Sequence, residues 1–252
     1  MSRPLVLLSN DDGVNAAGLR AVRAALLPHA EVFVCAPDSN QSATSHSLSL
    51  SRVLRLREVE EHVFALDGTP ADCVYVALNA GTRILPRRPD LCVSGLNHGL
   101  NLGVDAFYSG TVAAAREAAL RGIPSIALSA DRGANRERAA EIGVRLALAL
   151  LELAKSSPKT PLFNVNFPPG DDWEVCATSA GRRVYDTEVV FRNDPRGGEY
   201  LWIGGSVAVH HDSPGADTEA YDAGKASVTP LSLDLFEPSA LSIAQKLVTT
   251  LG

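Results

Sequence analysis

Through the first two-thirds of the chain, short β-branched apolar runs alternate with stretches whose apolar residues recur every three or four positions. That alternation predicts βαβ units and a parallel sheet, since a strand buried on both faces reads as a continuous apolar run while a helix keeps one apolar stripe. Leu5 to Leu8 forms the first such run, and Leu19, Val22 and Leu26 mark the helix behind it. Glu31 to Ala36 reads as a second strand, stopped by Pro37. Val53 to Val59 alternates as a half-buried strand should, with His62 to Leu66 as its pairing partner. Thr69, Pro70 and Asp72 sign a helix start: a capping hydroxyl, a proline in the first turn, and an acid three residues after the cap. Asp90 to Gly95 is a buried strand, Ser109 to Gly122 a helix closed by glycine, and Pro124 to Ser129 a return to the sheet. A long amphipathic helix follows from Asn135 to Lys155, then a strand from Leu162 to Pro168.

After about Gly170 the texture changes. Glu174 to Gly181, Thr187 to Arg192 and Glu199 to His211 read as antiparallel strands, followed by a polar, acidic loop from Asp212 to Gly224 and an amphipathic helix from Pro238 to Leu251. The expected organisation is an α/β core over residues 1–170, an antiparallel β appendage over 171–230 and a tail helix over 231–252.

Composition narrows the function classes. The 252 residues are 46% hydrophobic and 21% charged, enough for one large domain or a core with an appendage. A net charge of -6 argues against a general affinity for nucleic acid, which needs a basic face, while leaving room for a small anionic ligand beside a metal ion or helix terminus. The N-terminal apolar run is too short for a secretory signal, and no stretch approaches the roughly 20 apolar residues of a membrane span. The four cysteines sit singly in apolar runs and read as buried free thiols, so the expected location is a reducing cytoplasm.

In doubly wound sheets ligands bind beyond the carboxyl ends of the strands, and four strands here end in polar clusters. The first carries the adjacent carboxylates Asp11 and Asp12. Asn, Asp and Gly all form turns, so this cluster is open between a plain helix entry and a cation site that relieves the repulsion of two carboxylates. The second, Asp38 to Ser49, is open between a surface loop and a ligand loop in which Ser42 offers a neutral oxygen; His46 reads as a loop histidine. The third spaces Asn97 and Asn101 four apart among Gly99 and Gly103, then enters a helix through Ser109, Gly110 and Thr111. Free N–H groups and the positive dipole end at such a start suit a phosphate. The last and weakest is Asn164 to Pro168. Carboxylates, amide oxygen and hydroxyl make an all-oxygen set suited to Mg2+ or Mn2+, and a hard cation beside a phosphate site suggests phosphoryl chemistry. No GxGxxG follows the first strand and there is no P-loop, which removes the usual dehydrogenase and NTPase readings.

Taken in order, SNDDG (9–13), APDSNQS (36–42), GTPADCV (68–74), the run from Ser94 to Ser129, NVNFP (164–168) and VTPLSLD (228–234) make the sequence resemble the SurE family of stationary-phase survival proteins, metal-dependent nucleoside monophosphate phosphatases. The resemblance covers nearly the whole chain. It implies a Rossmann-like three-layer core, a projecting antiparallel β-hairpin region and a C-terminal helical tail exchanged between subunits of a homodimer or homotetramer. It also implies one divalent cation held by Asp11, Asp12, Ser42 and Asn97, with Asn101, Ser109, Gly110 and Thr111 lining the phosphate pocket. Substrates would be 5'- and 3'-nucleoside monophosphates and short polyphosphate. The chain departs from many members in carrying Ala43, where they have glycine after the metal-binding serine.

The expected reaction is hydrolysis by metal-assisted attack of water, with Asp11 or Asp12 orienting or deprotonating it. A phosphoaspartate route fits poorly, because haloacid-dehalogenase-like phosphatases space their aspartates one residue apart. The rival of another class is a nucleotide-binding regulator or assembly protein that binds without turnover. His210 and His211, beside Asp212, stay open between a surface pair, a subunit contact and a substrate-facing loop.

Overall fold

The computed structural model describes residues 3–185, 188–204, 208–211 and 213–250. Its strands are β1 (Leu5–Ser9), β2 (Glu31–Pro37), β3 (Leu56–Glu60), β4 (Val63–Leu66), β5 (Leu91–His98), β6 (Ser125–Ala130) and β7 (Leu162–Phe167). Then come β8 (Val175–Ala177), β9 (Arg183–Tyr185), β10 (Glu188–Asn193), β11 (Glu199–Gly204), β12 (Ala208–His210) and β13 (Ala226–Pro230). The helices are α1 (Ala17–Leu26), α2 (Pro70–Asn79), α3 (Asp105–Tyr108), α4 (Gly110–Leu120), α5 (Arg136–Ala154), α6 (Asp217–Asp222) and α7 (Leu241–Thr249).

The period-two geometry of β1 explains the layering. Val6 and Leu8 face Leu19, Val22 and Leu26 of α1 and Ala140 and Val144 of α5. Leu5 and Leu7 face Cys73, Val74 and Ala77 of α2 and Ala114 and Ala118 of α4. Burial on both faces forbids polar alternation, and each fully buried leucine contributes roughly 1.5–3 kcal/mol. The result is a mostly parallel nine-stranded sheet, in the order β3-β4-β2-β1-β5-β6-β7-β13-β8, between two helical layers. Thr69 caps α2 as its sequence predicts: its hydroxyl accepts from the Asp72 N–H at 3.1 Å while Asp72 accepts from the Thr69 N–H at 2.9 Å.

Several expectations change. The run from Val53 yields a strand only over Leu56–Glu60, and that strand is exposed along its length because it sits at the sheet edge, paired with β4 alone. Within 171–230, β8 and β13 join the main sheet, parallel to each other, and β13 runs antiparallel to β7. The antiparallel pairs are β9 with β12 and β10 with β11. The acidic segment expected to be a loop contains α6, anchored by the buried Asp217 carboxylate, which accepts from the N–H groups of Gly103 (2.9 Å) and Gly181 (2.7 Å). The tail helix opens with a tight 3-10 turn, Pro238–Ala240, before α7. Cys35, Cys73 and Cys92 are buried free thiols, with burial pushing Cys92 up to about 12, whereas Cys176 is half-buried. Positions 187, 205–207, 212 and 251 of the expected segments lie outside the described residues. Among the described residues, no helix is long and apolar enough to cross a membrane.

Candidate active site at the carboxyl edge

From β1 the chain builds outward through β2 to β4, then returns to add β5, β6 and β7 on the other side. The order therefore reverses between β1 and β5, and a crevice at such a switch point is where α/β sheets bind ligands. Asp11 and Asp12 follow β1, the Asp38–Ser49 loop follows β2, and Asn97 ends β5.

Asp11 is buried against the start of α4. The Thr111 hydroxyl donates to its Oδ1. A Cβ on Gly110 would lie 2.8 Å from the Asp11 Cβ and 3.0 Å from Pro70 Cγ, so only glycine lets the helix approach this closely. Burial raises the Asp11 carboxyl to about 6, with the neighbouring Asp12 adding to the rise and the Thr111 hydrogen bond opposing it. Ser109 is the N-cap of α4, its hydroxyl accepting from the Val112 N–H at 3.1 Å. The two hydroxyls of this turn thus hold the carboxylate and the helix end, the Thr111 N–H also acts on the Asp11 carboxylate, and the Gly110 N–H remains at the first turn.

Asp12 leaves the strand on the other side. Its Oδ2 accepts from the His98 N–H at 3.0 Å, and its Oδ1 stands 3.5 Å from the Asn40 amide nitrogen. Asn40 in turn accepts from both the Ser42 hydroxyl (2.7 Å) and the Ser42 N–H (2.8 Å), while the Gln41 N–H donates to the Asp11 carbonyl at 2.8 Å. Asn40 therefore joins Ser42 to Asp12, a bridging role that its place in a hydroxyl- and amide-rich run hinted at without specifying. Asn97 commits its amide nitrogen to the Gly99 carbonyl at 2.9 Å, which leaves Oδ1 as its donor atom for a cation. Ala43 has φ +59°, a left-handed conformation that costs a residue with a Cβ.

Asn101 is buried and tied into the sheet: its N–H donates to Asn166 (2.7 Å), its amide to the Ser129 hydroxyl (2.7 Å), and its carbonyl accepts from Asn164 (2.6 Å). The asparagines of NVNFP thereby pin the loop that leads to α3. His46 is more than a loop histidine, since its Nε2 lies 2.9 Å from the buried Glu117 of α4, which also pairs with Arg121 at 3.0 Å. That contact, with Ser45 bonding the Tyr108 and Phe107 carbonyls (3.0 and 2.6 Å), fastens the Ser42 loop to the helix that carries Thr111. Asp105 on α3 receives Arg183 at 2.7 Å and the Tyr185 hydroxyl at 2.5 Å, linking β9 to the same region. His210 pairs with Asp222 at 2.9 Å, a partner far enough along the chain that adjacency could not suggest it; Asp212 is outside the described residues.

A hard divalent cation fits these residues. The donors are carboxylate, hydroxyl and amide oxygens, the set a hard cation prefers. Fold and edge together define a doubly wound α/β protein whose switch-point crevice joins an oxygen-rich donor set to a helix start suited to an anion. A family model described as "Survival protein SurE" matches residues 6–187. "5'-nucleotidase SurE" of Sorangium cellulosum (strain So ce56) is 66% identical over 252 residues, covering 99% of this chain and 98% of that one. Its namesake from Myxococcus xanthus (strain DK1622) is 49% identical over 94% of this chain and 90% of its own. The crystal structure of the Sure protein from Aquifex aeolicus superposes with a TM-score of 0.82 at 35% identity, covering 97% of this chain and 99% of that one. The chain belongs to the SurE family.

Proposed function

We propose that this protein is a metal-dependent 5'-nucleotidase that hydrolyses nucleoside 5'-monophosphates to nucleoside and phosphate. The relatives' names support the activity. The observation that carries the mechanism is the bond between Thr111 and Asp11, which sets a buried carboxylate against the start of α4, whose positive end and Gly110 N–H suit a phosphate.

In this reading Asp11, Asp12, Ser42 and Asn97 hold one Mg2+ or Mn2+ ion. When bound, the cation supplies polarisation of the phosphorus–oxygen bond. The Gly110 N–H and the positive end of α4 take the phosphoryl oxygens, with Ser109, Thr111 and Asn101 shaping the pocket, and stabilise the charge that develops on them. Asp11 or Asp12 orients the attacking water and accepts its proton. The same pocket accommodates 3'-monophosphates and short polyphosphate within the proposal.

Residues 1–170 form the catalytic core, with β8 and β13 of the next segment completing its sheet; the hairpins of 171–230 and the 231–252 tail serve assembly. A homodimer or homotetramer with an exchanged tail suits the exposed Phe191, Trp202, Ile203 and Leu247. A cytoplasmic location suits the free thiols.

The test is phosphate release from 5'- and 3'-nucleoside monophosphates and an aryl phosphate, with EDTA, Mg2+ or Mn2+, beside Asp12→Ala. Metal-dependent release that vanishes in the variant is expected. Saturable nucleotide binding with no release under any metal would instead mark a regulator; robust release by Asp12→Ala would remove Asp12 from the mechanism.

A further inference from the structure

We infer that the cavity beside Asp12 is a second anion subsite, in which Arg132 and Arg136 receive a second phosphate on the nucleotide, distinct from the one cleaved. The inference rests on the nucleotidase reading and assigns part of that site a specificity. The cavity, of about 220 Å3, lies between the start of α1, the end of β5 and the turn from β6 into α5, with Asp12, Asn97 and His98 on its wall. It therefore opens directly onto the candidate metal residues, on the side of the sheet away from Gly110.

Its charge is what selects the ligand. Of the side chains that line it, Arg132 and Arg136 are the two cations, in a chain whose net charge is -6. Arg132 makes no ion pair with any described residue, and Arg136 reaches only the exposed Glu137, at 3.8 Å, a contact of little worth in water. Asp131 is already committed: its Oδ1 accepts from the Gly133 N–H at 2.8 Å and its Oδ2 from the Tyr221 hydroxyl at 3.3 Å. Asp131 and Asp12 both keep their charge, so the lining balances two guanidiniums against two carboxylates until a cation bound at Asp12 tips it positive. Two guanidiniums then face a compact cavity with donors suited to phosphate oxygens.

Size and rigidity agree with this assignment. A drug-sized ligand needs roughly 300–1,000 Å3, so the cavity takes one compact group rather than a whole nucleotide. The turn that carries Arg132 is pinned to the segment after β7 by two bonds, Asn135 N–H to the Gly170 carbonyl (2.7 Å) and Gly170 N–H to the Gly133 carbonyl (3.0 Å). The backbone beneath the two exposed arginines is thus fixed before any ligand arrives.

The experiment compares adenosine 5'-monophosphate with adenosine 3',5'-bisphosphate in the Mn2+-loaded full chain, for wild type, Arg132→Ala/Arg136→Ala and Arg132→Lys/Arg136→Lys. Wild type is expected to favour the bisphosphate in kcat/KM by about tenfold, the size of one charge-assisted contact. The alanine pair should bring that ratio close to one, and the lysine pair should keep most of it. An equal ratio in wild type and the alanine pair, or no preference in wild type, overturns the subsite. A parallel equilibrium titration needs no turnover: tighter bisphosphate binding in wild type, lost in the alanine pair, supports the subsite even if no phosphate is released, an outcome that fails only the nucleotidase reading. Equal binding of both nucleotides to wild type overturns it.

Discussion

Asp11 and Asp12 are neighbours in sequence, yet they occupy opposite kinds of surroundings. Asp11 is enclosed by Thr111, Gly110 and Pro70, close enough that a single added methyl group has no room. Asp12 borders a cavity and is held by one backbone N–H and an amide at long range. Both lie in the bend that follows β1, where α4 packs tightly against Asp11 while α1 and the start of α5 leave an opening beside Asp12. One carboxylate is therefore set by packing, while the other borders open space.

Substitutions can break this contrast. Asp12→Ala is expected to reduce phosphate release to background while shifting the unfolding midpoint little, since the side chain leaves no void in the core; a large loss of stability would contradict the open setting. Gly110→Ala should harm both properties, costing about 1–3 kcal/mol of stability by overpacking against Asp11, measurable by denaturant unfolding. If it proves neutral, the enclosure of Asp11 is looser than its contacts imply.

Smaller effects sharpen the picture. His46→Ala frees the Ser42 loop from Glu117, and should raise the Mn2+ concentration needed for half-maximal activity by roughly tenfold, as loss of a ligand-orienting partner commonly does. Metal titrations of the two proteins would read this directly. Asp11 adds a pH dependence. Its folded value of about 6 lies above the ordinary 3.8, so the metal-free fold binds this proton more tightly than the unfolded chain does. That stability is fully present below about pH 4 and is lost as pH rises through about 6. Mn2+ should then raise the melting temperature more at pH 7 than at pH 5, and an equal shift at both would exclude Asp11 as the linked group. Last, Ala43→Gly relieves a left-handed residue and should stabilise the protein by about 1 kcal/mol, less the entropy that glycine loses on folding.

The sequence alone determined the parallel core, because strands buried on both faces must be apolar throughout and helices over them must carry one stripe. It also determined the Thr69 cap and the polar strand ends, which depend on residues within a few positions of one another. Matching the ordered motifs to a family then brought Asp11, Asp12, Ser42 and Asn97 together as candidates. Only the tertiary structure decided what lies far apart in sequence: that Asn40 joins Ser42 to Asp12, that His46 meets Glu117, and that Asp217 turns an acidic stretch into α6. It also decided that Arg132 and Arg136 share a cavity with Asp12, more than a hundred positions away. Periodicity reports which way a residue faces, but its partner across space depends on strand order and packing, which no local spacing encodes.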